Sequence, residues 1–130
     1  MLKKMMEQFA KELGIEESFA TEIPGIYLIP IDEGLNVYVT EIPQGFTIKC
    51  SIADCPKLNV GEYFTFIMGA NLLGKETHGN VLGLNEDGEV LTLSRDVDYE
   101  VNYQEFSYIL EDFFNQAEFW RDETLAFNKK

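Results

Sequence analysis

One histidine, two cysteines and ten basic residues in a chain of 130 are small numbers, and each removes a class of chemistry. His78 is the only imidazole, so a Ser-His-Asp or Cys-His arrangement would have to use it. It lies between Thr77 and Gly79 in a loop, which favours a solvated side chain over a general base. Cys50 and Cys55 with one histidine cannot supply a four-ligand zinc site of Cys and His alone. Ten bases against 23 acids leave a net charge of −13. That balance argues against nucleic acid, whose phosphates need Lys and Arg, and against anionic membranes. No apolar run approaches the roughly 20 residues that span a bilayer, so no membrane insertion is expected. Met1-Leu2-Lys3-Lys4 is basic, but acids and Lys11 follow in place of a long apolar region, so no secretory leader is expected either. Without one, free thiols in a reducing cytosol are favoured over a disulfide, and Cys50 reads as a small apolar residue on a strand.

Two stretches imitate functional motifs and fail on chemistry. Gly69-Ala70-Asn71-Leu72-Leu73-Gly74-Lys75-Glu76 comes within one residue of a phosphate-binding loop. A carboxylate, Glu76, stands where the magnesium-binding hydroxyl belongs, and the segment ends a helix instead of opening one. The bland alternative is that Gly74 caps a helix C-terminus. Asn85-Glu86-Asp87-Gly88 hints at a calcium loop, but setting Gly88 at the sixth position puts Gly83 at the first and Ser94 at the twelfth, where carboxylates belong. Glu111-Asp112 and Asp122-Glu123 are most simply a solvated helix face. No catalytic constellation survives, so neither an enzyme nor a cofactor site is expected.

What is abundant is apolar and acidic. Hydrophobic residues make up 45% and aromatics 13%, enough to fold one domain spanning residues 1–130. From Asn85 to Leu125 there are 12 acids and two bases, Arg95 and Arg121. A charge this far from zero keeps a protein with adhesive surface soluble.

The hydropathy pattern predicts an α+β domain. Leu2, Met5, Met6, Phe9 and Leu13 fall at helical spacing and Gly14 stops them. Ile26 to Ile31 is nearly all apolar, with Pro30 suiting an edge strand or a bulge. Leu35, Val37 and Val39 alternate with polar partners, as do Phe46, Ile48, Cys50 and Ile52, across a Pro43-Gln44-Gly45 turn. Asn59 and Glu62 resemble a capping box opening a second helix through about Leu72, apolar on more than one face. Val81–Leu84 and Val90–Leu93 form a hairpin about Asn85–Gly88. Asn102 and Glu105 start a third helix running to about Thr124. The order α-β-β-β-α-β-β-α points to an antiparallel sheet with flanking helices. Met5, Met6 and Phe9 read equally as core or as an adaptable binding surface.

The whole chain resembles a class I type III secretion chaperone, the Tir chaperone or CesT-like family. The resemblance rests on size, acidity, element order and the central block. In that block Ala70-Asn71-Leu72-Leu73-Gly74, then Thr77, then Val81-Leu82-Gly83-Leu84 and Leu91-Thr92-Leu93-Ser94 look much like the family's helix-link-hairpin signature. It implies a cytoplasmic bacterial homodimer that binds the N-terminal region of a secreted effector in extended form, by apolar patches and strand addition, without nucleotide. Secretion apparatus components would be further partners. Carried over, the resemblance puts the effector patch at Met5, Met6 and Phe9, with Tyr27, Ile29, Val37 and Val39 on the sheet. It puts the dimer seam at Phe64, Ile67 and Met68 of the second helix and Val81, Leu82 and Leu84 of the hairpin. The alternative is a regulatory or structural dimer of the same fold, similar to YbjN, with no secreted client.

Overall fold

The computed structural model describes residues 1–15, 18–72 and 79–128. Along them run α1 (Leu2–Glu12), β1 (Ile26–Asp32), β2 (Leu35–Ile42), β3 (Gly45–Asp54), α2 (Val60–Asn71), β4 (Val81–Leu84), β5 (Val90–Asp98) and α3 (Tyr103–Asn128). This is the α-β-β-β-α-β-β-α order expected of the sequence. The strands form one five-stranded sheet in the order β1-β2-β3-β5-β4, with every pairing antiparallel.

Period-two alternation decides which side chains go inside. Opposite residues of an antiparallel pair share a face. Val37 pairs with Cys50, Val39 with Ile48, and Cys50 in turn with Leu93, which assembles one apolar face across three strands. The helices close that face. Leu2, Met6 and Phe9 of α1, Tyr63 of α2, and Phe106, Leu110, Phe113 and Trp120 of α3 join it in a single buried cluster. Phe106 is the hub: its ring meets Phe46 edge-on at 5.3 Å and Phe9 at 6.4 Å, tying sheet, α1 and α3 together.

Local chemistry fixes the joints. Gly14 takes φ 75° and ends α1. Gly45 opens β3 so close to β5 that a Cβ there would overlap the Val97 carbonyl oxygen. The Asn85 side chain accepts the N–H groups of Glu89 and Val90, holding the β4–β5 turn, while Gly88 takes φ 71°. Asn102 and Glu105 form the reciprocal cap read from the sequence: Glu105 N–H donates to Asn102 Oδ1 at 2.8 Å and Asn102 N–H to Glu105 Oε1 at 3.1 Å.

The cap expected at Asn59 does not form. Asn59 sits in the left-handed region at φ 58° and its side chain makes no capping bond. A helix cap ordinarily needs an extended backbone to aim its oxygen at the first free amides. At the other end α2 stops at Asn71, and Leu72 turns extended. The proposed Gly74 cap, the Lys75-Glu76-Thr77-His78 link and the second half of the phosphate-loop lookalike lie outside the described residues.

Candidate interaction surfaces

The seven positions carried over as an effector patch are core. Met5, Met6 and Phe9 are at most 7% exposed, and Tyr27, Ile29, Val37 and Val39 at most 6%. One stripe of α1 and one register of β1 and β2 supply all seven, and all seven join the same buried cluster. A helix with a single apolar stripe cannot serve a partner and its own sheet at once. As the protomer stands, these side chains are not available to a client.

The other register of the same strands makes an open surface. Ile26 pairs with Thr40 and Leu28 with Tyr38, and Tyr38 pairs with Lys49. Ile23 and Tyr38 are exposed. With Thr21 and Glu22 they line a hollow of about 730 Å3, apolar along β1 and hydroxyl-rich along β2 and β3. In the sequence this register of β2 and β3 is the polar partner of the alternation, rich in Thr, Ser and Lys. The apolar residues that make it adhesive, Ile26 and Leu28, were visible in the run Ile26–Ile31, which carries apolar side chains on both faces of β1.

The six seam positions divide. Ile67 and Leu82 point into the core, and Phe64 is half-buried against it. Met68, Val81 and Leu84 are exposed at 69%, 55% and 45%. Leu72, one turn after Met68, is 70% exposed. Met68 and Leu72 are therefore bare on α2, Leu84 on the core-side register of β4, and Val81 on its outer register. The buried side of α2 is spent on α3: the Tyr63 hydroxyl and Thr124 hydroxyl share a hydrogen bond of 2.9 Å, and Phe66 packs on Trp120 at 5.5 Å. The apolar excess on α2 read from the sequence is thus real, and Met68 and Leu72 are its unspent part.

Both edges of the sheet are partly filled from within the chain. On β4, Asn71 Nδ2 donates to the Leu82 carbonyl at 2.7 Å and Leu82 N–H donates to Asn71 Oδ1 at 2.8 Å. A side-chain amide takes the place of a neighbouring strand. On β1, Leu28 N–H donates to the Phe19 carbonyl at 2.9 Å, and Thr21 N–H to the Ile26 carbonyl at 3.2 Å. Phe19 holds φ 64° there, a conformation that costs a non-glycine residue about 1–2 kcal/mol.

The ionisable groups give no reactive centre among the described residues. Burial pushes the Cys50 thiol up to about 12, and burial also raises Cys55, so neither is an activated nucleophile. Burial pushes the Tyr63 phenol up to about 12. Tyr103 is also pushed to about 12, by desolvation first and then by its hydrogen bond to Glu12, which ties α3 to α1. Arg121 Nη2 reaches Asp32 Oδ2 at 2.6 Å and lowers that carboxyl, pinning α3 to the β1–β2 turn. No cluster of three or more His, Cys, Asp or Glu side chains converges as a metal site among the described residues. No helix among them is long and apolar enough to cross a membrane.

Known proteins match this geometry and sequence. A Chlamydia pneumoniae protein, CPj0713/CpB0740, is 29% identical over 122 residues, covering 92% of this chain and 93% of its own. The ExsC-ExsE complex contains a chain of TM-score 0.76 at 15% identity, covering 95% of this chain and 92% of that one. The HopA1-SchA chaperone-effector complex gives TM-score 0.74 at 12% identity, with 93% of each chain covered. YbjN from E. coli, described as a putative transcription regulator, gives 0.66 at 14% identity, covering 95% and 91%. At such identities the structures establish the fold. The family model of the Tir chaperone protein (CesT) family matches residues 4–121, and the chain belongs to that family.

Proposed function

We propose that this protein is a homodimeric type III secretion chaperone that binds the N-terminal region of a secreted effector in the bacterial cytosol. It holds that region extended and secretion-competent without nucleotide. The family match over residues 4–121 carries the reading. The neighbour solved as a chaperone-effector complex agrees with it. So does the chemistry of the surface. Ordering an extended client costs about 1–2 kcal/mol per residue, which only apolar burial and main-chain pairing can offset. The hollow over β1–β3 offers the apolar contact. The bare Met68, Leu72, Val81 and Leu84 suit a second copy of the chain, because exposed apolar patches of this kind mark interfaces. The −13 charge serves solubility and encounter rate more than affinity.

A second reading is a regulatory dimer with no client, favoured by the YbjN likeness. Co-expression with the N-terminal region of an effector encoded beside it, followed by co-purification, separates the two. A stable complex that holds the effector segment extended, shielded from protease only where it lies on the chaperone, supports the chaperone. A dimer that binds no such segment supports the regulator.

A further inference from the structure

What covers the outer edge of the sheet is a short piece of the same chain. Along β1 the edge-facing backbone groups belong to Ile26, Leu28 and Pro30. The Ile26 carbonyl accepts both the N–H and the hydroxyl of Thr21, at 3.2 and 2.8 Å. The Phe19 carbonyl accepts the Leu28 N–H, and Ala20 stands opposite Tyr27 in an antiparallel bridge. Pro30 has no N–H to offer. Phe19–Thr21 is thus a strap that acts as a sixth strand, held by two main-chain bonds and one hydroxyl.

Two features mark the strap as replaceable. Phe19 is held in the left-handed region at φ 64°, which an incoming extended segment would not need. A hollow lies on each side of the strap. One is the 730 Å3 hollow over the sheet, and the other is a 460 Å3 hollow lined by Ile15, Phe19, Ala20, Thr21, Glu22 and Leu28. The two share Thr21, Glu22 and Leu28, so the strap is the partition between them. At the opposite edge a side chain fills the position instead, Asn71 holding both backbone groups of Leu82.

Strand addition is already what the family resemblance implies; we propose that the Phe19–Thr21 strap is a built-in competitor at the β1 edge, which an extended segment of a partner chain displaces. The identity of the partner as an effector rests on the function proposed above; displacement of the strap does not. The strap displays the chemistry required of its rival. A large apolar side chain takes the Phe19 position and replaces its packing on the core. An N–H must stand at the Thr21 position to reach the Ile26 carbonyl, so proline is excluded there. Alternate side chains then face the hollow floored by Ile26, Leu28 and Tyr38.

The test locks the strap. The bonds on either side of Ala20 and Tyr27 make them a non-hydrogen-bonded pair, with Cα atoms about 4.5 Å apart. That separation lies within disulfide range. The full chain carrying Ala20→Cys and Tyr27→Cys, in a Cys55→Ser background, is compared oxidised and reduced, so the loss of Tyr27 is common to both. The probe is a fluorescent synthetic peptide with the sequence of residues 18–23. The reduced form should bind it at least tenfold more tightly than the oxidised form, and Phe19→Ala in the native chain should bind it more tightly than the unmodified protein. Equal binding by the oxidised and reduced forms overturns the proposal, as does failure of both the reduced form and Phe19→Ala to bind. Should Tyr27→Cys prevent folding, hydrogen exchange at the Leu28 amide decides. Faster exchange in Phe19→Ala, reversed by the peptide, supports the strap, and unchanged exchange overturns it. Binding of the peptide by a protein that holds no effector supports the strap as competitor and contradicts the chaperone reading. An effector segment that binds oxidised and reduced forms alike overturns displacement of the strap.

Discussion

The side chain of Asn71 and the backbone of Leu82 pair as two strands would, through N–H···O bonds of 2.7 and 2.8 Å in opposite directions. The last residue of α2 thereby fills the Leu82 position on the free edge of β4, where bare donors and acceptors would otherwise be open to another chain. Asn71→Ala leaves both groups of Leu82 without their partner. Denaturant unfolding should show a loss of about 1–3 kcal/mol, and light scattering should show more high-mass association. Wild-type stability with no added association would show that solvent satisfies Leu82 equally well.

Phe9→Ala should behave as a core deletion. The ring is 3% exposed and stands edge-on to Phe106. Truncation of a buried Phe costs about 3–5 kcal/mol, and Met5→Ala about 2–5. Thermal unfolding checks this. A variant with unchanged stability and weakened client binding would return these residues to the client surface.

Tyr63 makes stability fall at high pH. Its phenol is held neutral up to about 12 in the fold, against about 10 in an unfolded chain. The folded value is the higher one. Its contribution is therefore complete below about pH 10 and is lost as pH rises towards 12. Unfolding measured across that window should steepen with pH, and Tyr63→Phe should flatten the slope. An identical slope in Tyr63→Phe would place the loss elsewhere.

The fold was legible because each of its cues is local. Alternation in Leu35–Val39 and Phe46–Ile52 gave two strands, Gly14 ended a helix, and Asn102 with Glu105 opened one. Pro30 marked both an edge and an irregularity, and the register of β1 on β2 shifts between Pro30 and Asp32. The surfaces were less legible because they depend on which of two faces each element turns outward. The pattern of α1 and β2 shows an apolar face but not whether the fold or a partner covers it, and here both faces join one buried cluster. Asn71 stood in the helix-link-hairpin block, but nothing there signalled its pairing with Leu82, which exists only once β4 lies beside it. The Asn59 cap failed because spacing reports the residues of a cap and not the backbone angle that aims them.

The bare side chains on α2 predict how the protein assembles. Met68→Asp with Leu72→Asp should leave the fold intact, since both side chains are exposed in the protomer, and should halve the mass in solution. Sedimentation should give about twice the 14.9 kDa chain mass for the native protein and a single chain for the double variant. An unchanged dimer would move the seam off α2.

The most direct measurement is native mass spectrometry of the protein purified with its partners from its own cytosol. The account predicts two copies of the 14.9 kDa chain with one further polypeptide bound through its N-terminal region, and that region alone shielded from protease along an extended stretch. A bare dimer in cells that make the secretion apparatus, or a partner held through a folded domain, would contradict it.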